Sequence, residues 1–215
     1  MELRPYEKDP ETIYAQSFAT LRAEARLDRF DAGMRRLAER VVHACGMVEV
    51  ADRLAFSEGA SEAGLAALDS GAPVICDAEM VAAGVIRRRL PRGNDVIVTL
   101  NHIDTAGLAA DLGTTRSAAA VELWKPHLAG AIVAVGNAPT ALFHLLERLD
   151  EGWPRPALIL GFPVGFVGAA ESKAELADDP RGCAFVALRG RRGGSAMAAA
   201  AVNALGGGEE PRAGR

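Results

Sequence analysis

With 215 residues, 49% of them apolar, and a net charge of −4, the chain can bury one sizeable core and is too acidic for general nucleic-acid binding. Aromatics make up only 5% against 23 glycines, so close packing of helices on a sheet through small side chains is expected. The start MELRPYEKDP has no apolar h-region, and the longest apolar stretch, 158–170, is broken by Gly and Pro and falls short of the roughly 20 residues that a membrane span needs. Three widely spaced cysteines, Cys45, Cys76 and Cys183, read as thiols of a reducing cytoplasm.

Asp9 and Pro10 start a helix that should run to about Leu27, Asp as cap and Pro in the first turn. Ser17 lies inside it, where spacing alone has the hydroxyl bonded back to the preceding turn or facing water. Asp31 caps a second helix that ends at Cys45 before Gly46. Met34, Leu37, Ala38, Val41 and Cys45 form its apolar stripe, while Arg36, Arg40 and His43 share another face. That face is either solvated or a proton donor beside a cationic anchor. In the second case Arg40 lowers the His43 pKa in the empty site and a bound polyanion raises it again.

Further along, 54–56 reads as a short strand, 61–69 as a helix, 73–76 as an apolar strand and 80–83 as a short helix. Residues 87–94, RRRLPRGN, read as a solvated basic turn, 95–100 as a β-branched strand, and 115–128 as a helix in a longer connection. Thr114 or Thr115 caps that helix. Arg116 then puts a cation in the first turn, where the helix dipole costs about 0.3–1 kcal/mol. Such a residue either points harmlessly into solvent or has a compensating role, such as holding a carboxylate together with free N–H groups.

One design then recurs three times. Strands 131–135, 157–160 and 183–188 end in the loops GNAP (136–139), GFPVGFVG (161–168) and RGRRGG (189–194), each followed by an Ala-rich helix. Glycine allows close backbone approach to a ligand, and helix starts favour anions. Three such loops predict a broad, backbone-lined site for a large, flat anion. In the first loop Asn137 either turns its amide to a ligand or caps the next helix. Gly165 is a substrate-approach candidate in the second, and Glu171 and Lys173 read as first-turn and exposed charges.

Strands alternating with helices predict an α/β fold: a three-layer, largely parallel sheet with helices on both faces. A single domain over 1–205 is expected, with 206–215 as a disordered tail. Ligands of such sheets bind beyond the carboxyl ends of the strands. No P-loop or G-x-G-x-x-G occurs, GASEA (59–63) lacks the second glycine of a nucleophile elbow, and the four histidines never pair at metal-ligand spacing.

IYAQSF (13–18), VVHACG (41–46), DLGTTRSAAA (111–120), GAIVAVGNAPTAL (130–142), PVGFVGAAESK (163–173) and GGSAMAAAAVNAL (193–205) together resemble the precorrin-8X methylmutase family of corrin biosynthesis. The resemblance covers about residues 6–205. It implies a flavodoxin-like sheet, a homodimer and no cofactor or metal. It also implies an isomerase that moves a methyl group between adjacent ring-C carbons of precorrin-8X to give hydrogenobyrinic acid, by a proton-assisted sigmatropic shift. The family's catalytic histidine falls on His43, and its substrate contacts fall on Ser17 and Arg116. Arg40, Thr114, Thr115, Asn137 and Gly165 complete the candidate substrate-binding set. The expected partners are a corrinoid polycarboxylate and a second copy of the chain, without nucleic acid or membrane. Three alternatives stay open: a corrinoid carrier without catalysis, the cobalt-precorrin-8 version of the reaction, and a flavin- or nucleotide-binding protein of the same fold.

Overall fold

Two aspartates start the first two helices in the computed structural model, which describes residue 4 and residues 6–206. The Asp9 carboxylate accepts the Thr12 N–H at 2.9 Å and opens α1 (Pro10–Glu24). Asp31 accepts the Met34 N–H at 2.8 Å and opens α2 (Ala32–Cys45), which Gly46 ends in the left-handed conformation at φ 68°. Helix α1 stops three residues before the expected Leu27, because Ala25 is already extended. Then follow β1 (Leu54–Phe56), α3 (Ala60–Asp69), β2 (Val74–Cys76), α4 (Glu79–Gly84) and β3 (Val96–Val98).

The next connection holds two helices where one was expected. These are α5 (Thr105–Leu112) and α6 (Arg116–Val121), the latter passing into a 3-10 turn over Glu122–His127. Only Thr105 of α5 is buried, so the helix has no inward stripe to betray it. Pro126, without an N–H, falls where the α-helical ladder has given way. The remaining elements are β4 (Ile132–Val135), α7 (Pro139–Asp150), β5 (Leu158–Gly161), α8 (Ala169–Asp178), β6 (Ala184–Leu188) and α9 (Ser195–Leu205). The segment 87–94 is a turn with Arg87, Arg88 and Arg92 exposed, as expected, but it is anchored from within. Leu90 and Asn94 are buried, and the Asn94 amide donates to the Leu68 and Ala72 carbonyls. Of the expected tail, Gly206 is buried against Arg89, and 207–215 lies outside the described residues.

The sheet runs β1-β6-β5-β4-β2-β3, all pairs parallel except β1 with β6. Counting only the parallel five in chain order, the sequence across the sheet is 2-1-3-4-5, a doubly wound order with its switch point between β2 and β4. Alternate strand residues feed opposite cores. Ile132 and Ala134 join Leu37, Val41, Val81 and Val202 of α2, α4 and α9 on one face. Val133 and Val135 join Val121, Leu142, Leu145 and Leu176 of α6, α7 and α8 on the other. Covering both faces explains strands that are apolar throughout. Helix α2 reaches α3 closely at Gly33, where a Cβ would come within 2.3 Å of the Ser61 hydroxyl.

Candidate functional site

Helices α1 and α2 bring Ser17 and His43, 26 residues apart in sequence, to 3.1 Å between Oγ and Nδ1. Ser17 therefore reaches the neighbouring helix, which local spacing does not reveal. Tyr14, Ser17, Phe18 and Leu21 share one face of α1 at i, i+3, i+4 and i+7. The His43 ring stacks on Phe18 at 4.8 Å and 24°, and Tyr14 lies 4.6 Å from Phe18. The Arg40 guanidinium stands 5.4 Å from the Phe18 ring and 5.5 Å from the Tyr14 ring.

A cleft of about 320 Å³ opens beside this cluster, lined among others by Ser17, Thr20, Glu24, His43 and Val48. Burial, and then the Arg40 charge, push His43 below its ordinary pKa. The Ser17 hydroxyl can donate to the neutral ring or accept from the charged one, so it steadies both states. One turn earlier Glu39 is buried, which by itself would raise its pKa. A two-pronged bond from Arg22 at 2.9 and 3.0 Å, with Arg35 behind it, outweighs this and holds the carboxyl low. This pair fastens α2 to α1.

The switch point corrects the expectation of an anion-binding first loop. The N–H groups of Gly136, Asn137 and Ala138 donate to the Asp77 carboxylate at 2.8, 3.0 and 2.7 Å. Asp77 is 2% exposed, and burial pushes its carboxyl above the usual range despite those three bonds. The nest is filled by the protein itself. Asn137 is not a cap, since Ala138 holds that position without a side-chain bond, and its amide lies half-buried at the edge.

The second and third loops are joined to each other. Gly165, at φ 152°, donates its N–H to the Arg191 carbonyl at 3.2 Å, so this amide too is taken. Lys173 is not an exposed charge but is fully buried, donating to the carbonyls of Pro163 at 2.9 Å and Arg192 at 2.5 Å. Burial lowers its pKa to about 8. The Arg192 guanidinium pairs with Glu49, just past α2, which ties the third loop to the His43 helix. Phe166 and Val167 at the tip of the second loop are 85% and 88% exposed.

At the other end of the edge, Thr115 caps α6 by accepting the Ala118 N–H at 3.2 Å and donates to Thr140 Oγ1 at 2.9 Å. Thr114 lines a second cleft of about 300 Å³ with Thr140, Phe143, His144 and Glu147. Arg116 does not simply point into solvent, because it donates to the Leu100 carbonyl at 3.1 Å and the Asn101 amide oxygen at 2.8 Å. These residues follow β3, whereas the loop that reaches the His43 helix follows β6. The two strands are four spacings apart, about 19 Å. The structure thus groups Ser17, Arg40 and His43 at one end and Thr114, Thr115 and Arg116 at the other, with Asn137 and Gly165 between. Sequence reasoning missed the Tyr14–Phe18 shelf, whose signal was the i, i+4 aromatic pair. It also missed Asp77, an acid at the end of a strand flanking the switch point. Among the described residues no helix is long and apolar enough to cross a membrane.

The family model for precorrin-8X methylmutase matches residues 12–206. The precorrin-8X methylmutase of Pseudomonas aeruginosa is 64% identical over 93% of this chain and 96% of its own length. That of Sinorhizobium sp. is 58% identical over 93% and 95%. The cobalt-precorrin-8 methylmutase of Priestia megaterium is 35% identical over 95% and 90%. Among solved structures, the precorrin-8x methyl mutase of Thermus thermophilus superposes with a TM-score of 0.81 at 40% identity, over 91% of this chain and 94% of that one. The chain belongs to the precorrin-8X methylmutase family, and its activity is that of an isomerase in corrin biosynthesis.

Proposed function

From that membership we propose that the chain converts precorrin-8X to hydrogenobyrinic acid by moving a methyl group between adjacent carbons of ring C. The observation that carries the assignment of its residues is the Ser17–His43 pair at an open cleft. Substrate and product are isomers, so one proton lent and returned closes the balance. His43 protonates a nitrogen or carbon of the macrocycle, the methyl migrates with its bonding pair, and the proton comes back to His43. In the empty site the ring favours its neutral form. Arrival of a polycarboxylate raises its proton affinity, and Ser17 turns from donor to acceptor. The Arg40 fork takes a peripheral carboxylate beside the ring. The rest of the rate comes from holding the macrocycle against His43. His43→Ala should lose turnover while keeping ligand affinity. Near-normal turnover would end the assignment, and binding without any wild-type conversion would favour a carrier.

A homodimer is part of the proposal. Exposed Ile103 and Val167 at the carboxyl edge support an interface there. Such an interface lets Arg116 of one copy serve the His43 cleft of the other, closing the gap between the two groups. Mixing inactive His43→Ala with Arg116→Ala subunits should then restore part of the activity. A monomer by light scattering, or no restoration after subunit exchange, would contradict it. The metal-free substrate is favoured because the two more similar relatives named above carry the precorrin-8X name. The cobalt form is the second reading, favoured by the Priestia relative, and turnover with each substrate decides. The buried thiols of Cys76 and Cys183 are unpaired, which supports work in the cytoplasm.

A further inference from the structure

Lys173 lies at full burial beneath the second and third loops, and among the described residues its ammonium has carbonyl partners and no carboxylate. A buried charge without a counter-ion is costly to place, and its bonds to one carbonyl from each loop offset part of that cost. The lowered pKa is the mark of that cost. Satisfying a carbonyl of each loop at once is what a lysine can do here and an apolar side chain cannot.

Its two bonds join loops that already meet backbone to backbone. Gly194 donates to the Phe162 carbonyl at 2.8 Å, and Gly165 donates to that of Arg191 at 3.2 Å. At Gly193 a Cβ would strike the carbonyls of Phe162 and Pro163 at 2.3 and 2.5 Å, so no other residue permits this approach. Outward, the joined loops present Arg191 and Phe166, both exposed, with the guanidinium 5.7 Å from the ring. Arg192 is bound to Glu49, whereas Arg191 has no acidic partner among the described residues.

We propose that Lys173 is a positioning residue: by locking the two loops from inside it aims Phe166 at the corrinoid face and Arg191 at a peripheral carboxylate. The inference rests on the isomerase reading above. A guanidinium held against an aromatic is already oriented and partly desolvated, which suits it to a two-pronged carboxylate bond at the rim of a flat ring.

The test compares the wild type, Lys173→Met, Arg191→Ala and the double variant by steady-state turnover of precorrin-8X. Titration with hydrogenobyrinic acid, followed by absorption, gives the product Kd. Each single change should raise KM and product Kd about tenfold with kcat altered less than about threefold. The double variant should be no worse than Lys173→Met alone, because the lysine acts through the arginine as well as through Phe166. Full additivity, or unchanged KM and Kd in either single variant, overturns the proposal. If Lys173→Met does not fold, Arg191→Ala and Phe166→Ala leave the buried lysine alone, and unchanged product Kd in both overturns it. Wild-type turnover in the same assay separates the claims, since its absence would count against the isomerase reading itself.

Discussion

The carboxyl edge of this sheet carries two polar centres of opposite character. At Asp77 the carboxylate is sealed in and takes three backbone N–H bonds. At His43 one hydroxyl supports one ring nitrogen and the cleft beside it is open. A doubly wound sheet ordinarily offers its ligand the crevice at the switch point. Here the chain's own acid occupies the anion-binding amides of that crevice, and the open polar cleft lies beside a helix pair instead. Asp77 is satisfied from within the protein, whereas His43 has one side-chain hydrogen-bond partner among the described residues and an open cleft beside it.

Substitutions at the two centres should therefore fail in different ways. His43→Ala should lower kcat by about 10²–10⁴-fold, the usual worth of a general acid, with the unfolding midpoint unchanged. Asp77→Ala strands buried N–H groups, so urea denaturation should show a loss of about 1–3 kcal/mol while the folded fraction still turns over. A stable but inactive Asp77→Ala would break the comparison. Ser17→Ala tests whether the single partner matters. Losing one hydrogen bond to the ring should cost about tenfold in kcat, and an unaltered rate would make the contact incidental.

The smallest expected effect is in the pH profile. With His43 as the proton donor proposed above, the rate should fall as pH rises through its pKa. For kcat/KM, which reports the free enzyme, that fall should lie below the ordinary histidine value of 6.5, and for kcat, which reports the complex, at higher pH. Arg40→Gln should move the kcat/KM limb upward but leave it below 6.5, because burial is the larger cause. A wild-type kcat/KM limb above 6.5 would contradict the assignment.

Local signals carried much of this architecture. Asp9, Asp31 and Gly46 act where capping chemistry puts them, and the apolar runs around Val133, Ile159 and Val186 are strands because both faces of the sheet are covered. Helix α5 escaped because its residues are mostly exposed and show no stripe. The site was legible where one helix carries it, as with Arg40 and His43. It was not legible where side chains meet across elements. Ser17 finds His43, Asp77 finds the amides of Gly136 to Ala138, and Lys173 finds two loops only once the chain is folded. A buried lysine and a surface lysine look alike in sequence, since what distinguishes them is the company supplied by distant residues.

Helix α2 packs against α9, and β1 pairs with β6, so the segment that bears His43 rests on elements made much later in translation. As the chain leaves the ribosome, α2 emerges beside α1 with much of its apolar stripe still waiting for α9 to cover it. The central strands and their helices can associate first, and the histidine helix is seated only when α9 arrives. The bed of the histidine helix is thus complete only with the last helix. A chain broken before Ser195 would keep Ser17, Arg40 and His43 yet have no bed on which to assemble them.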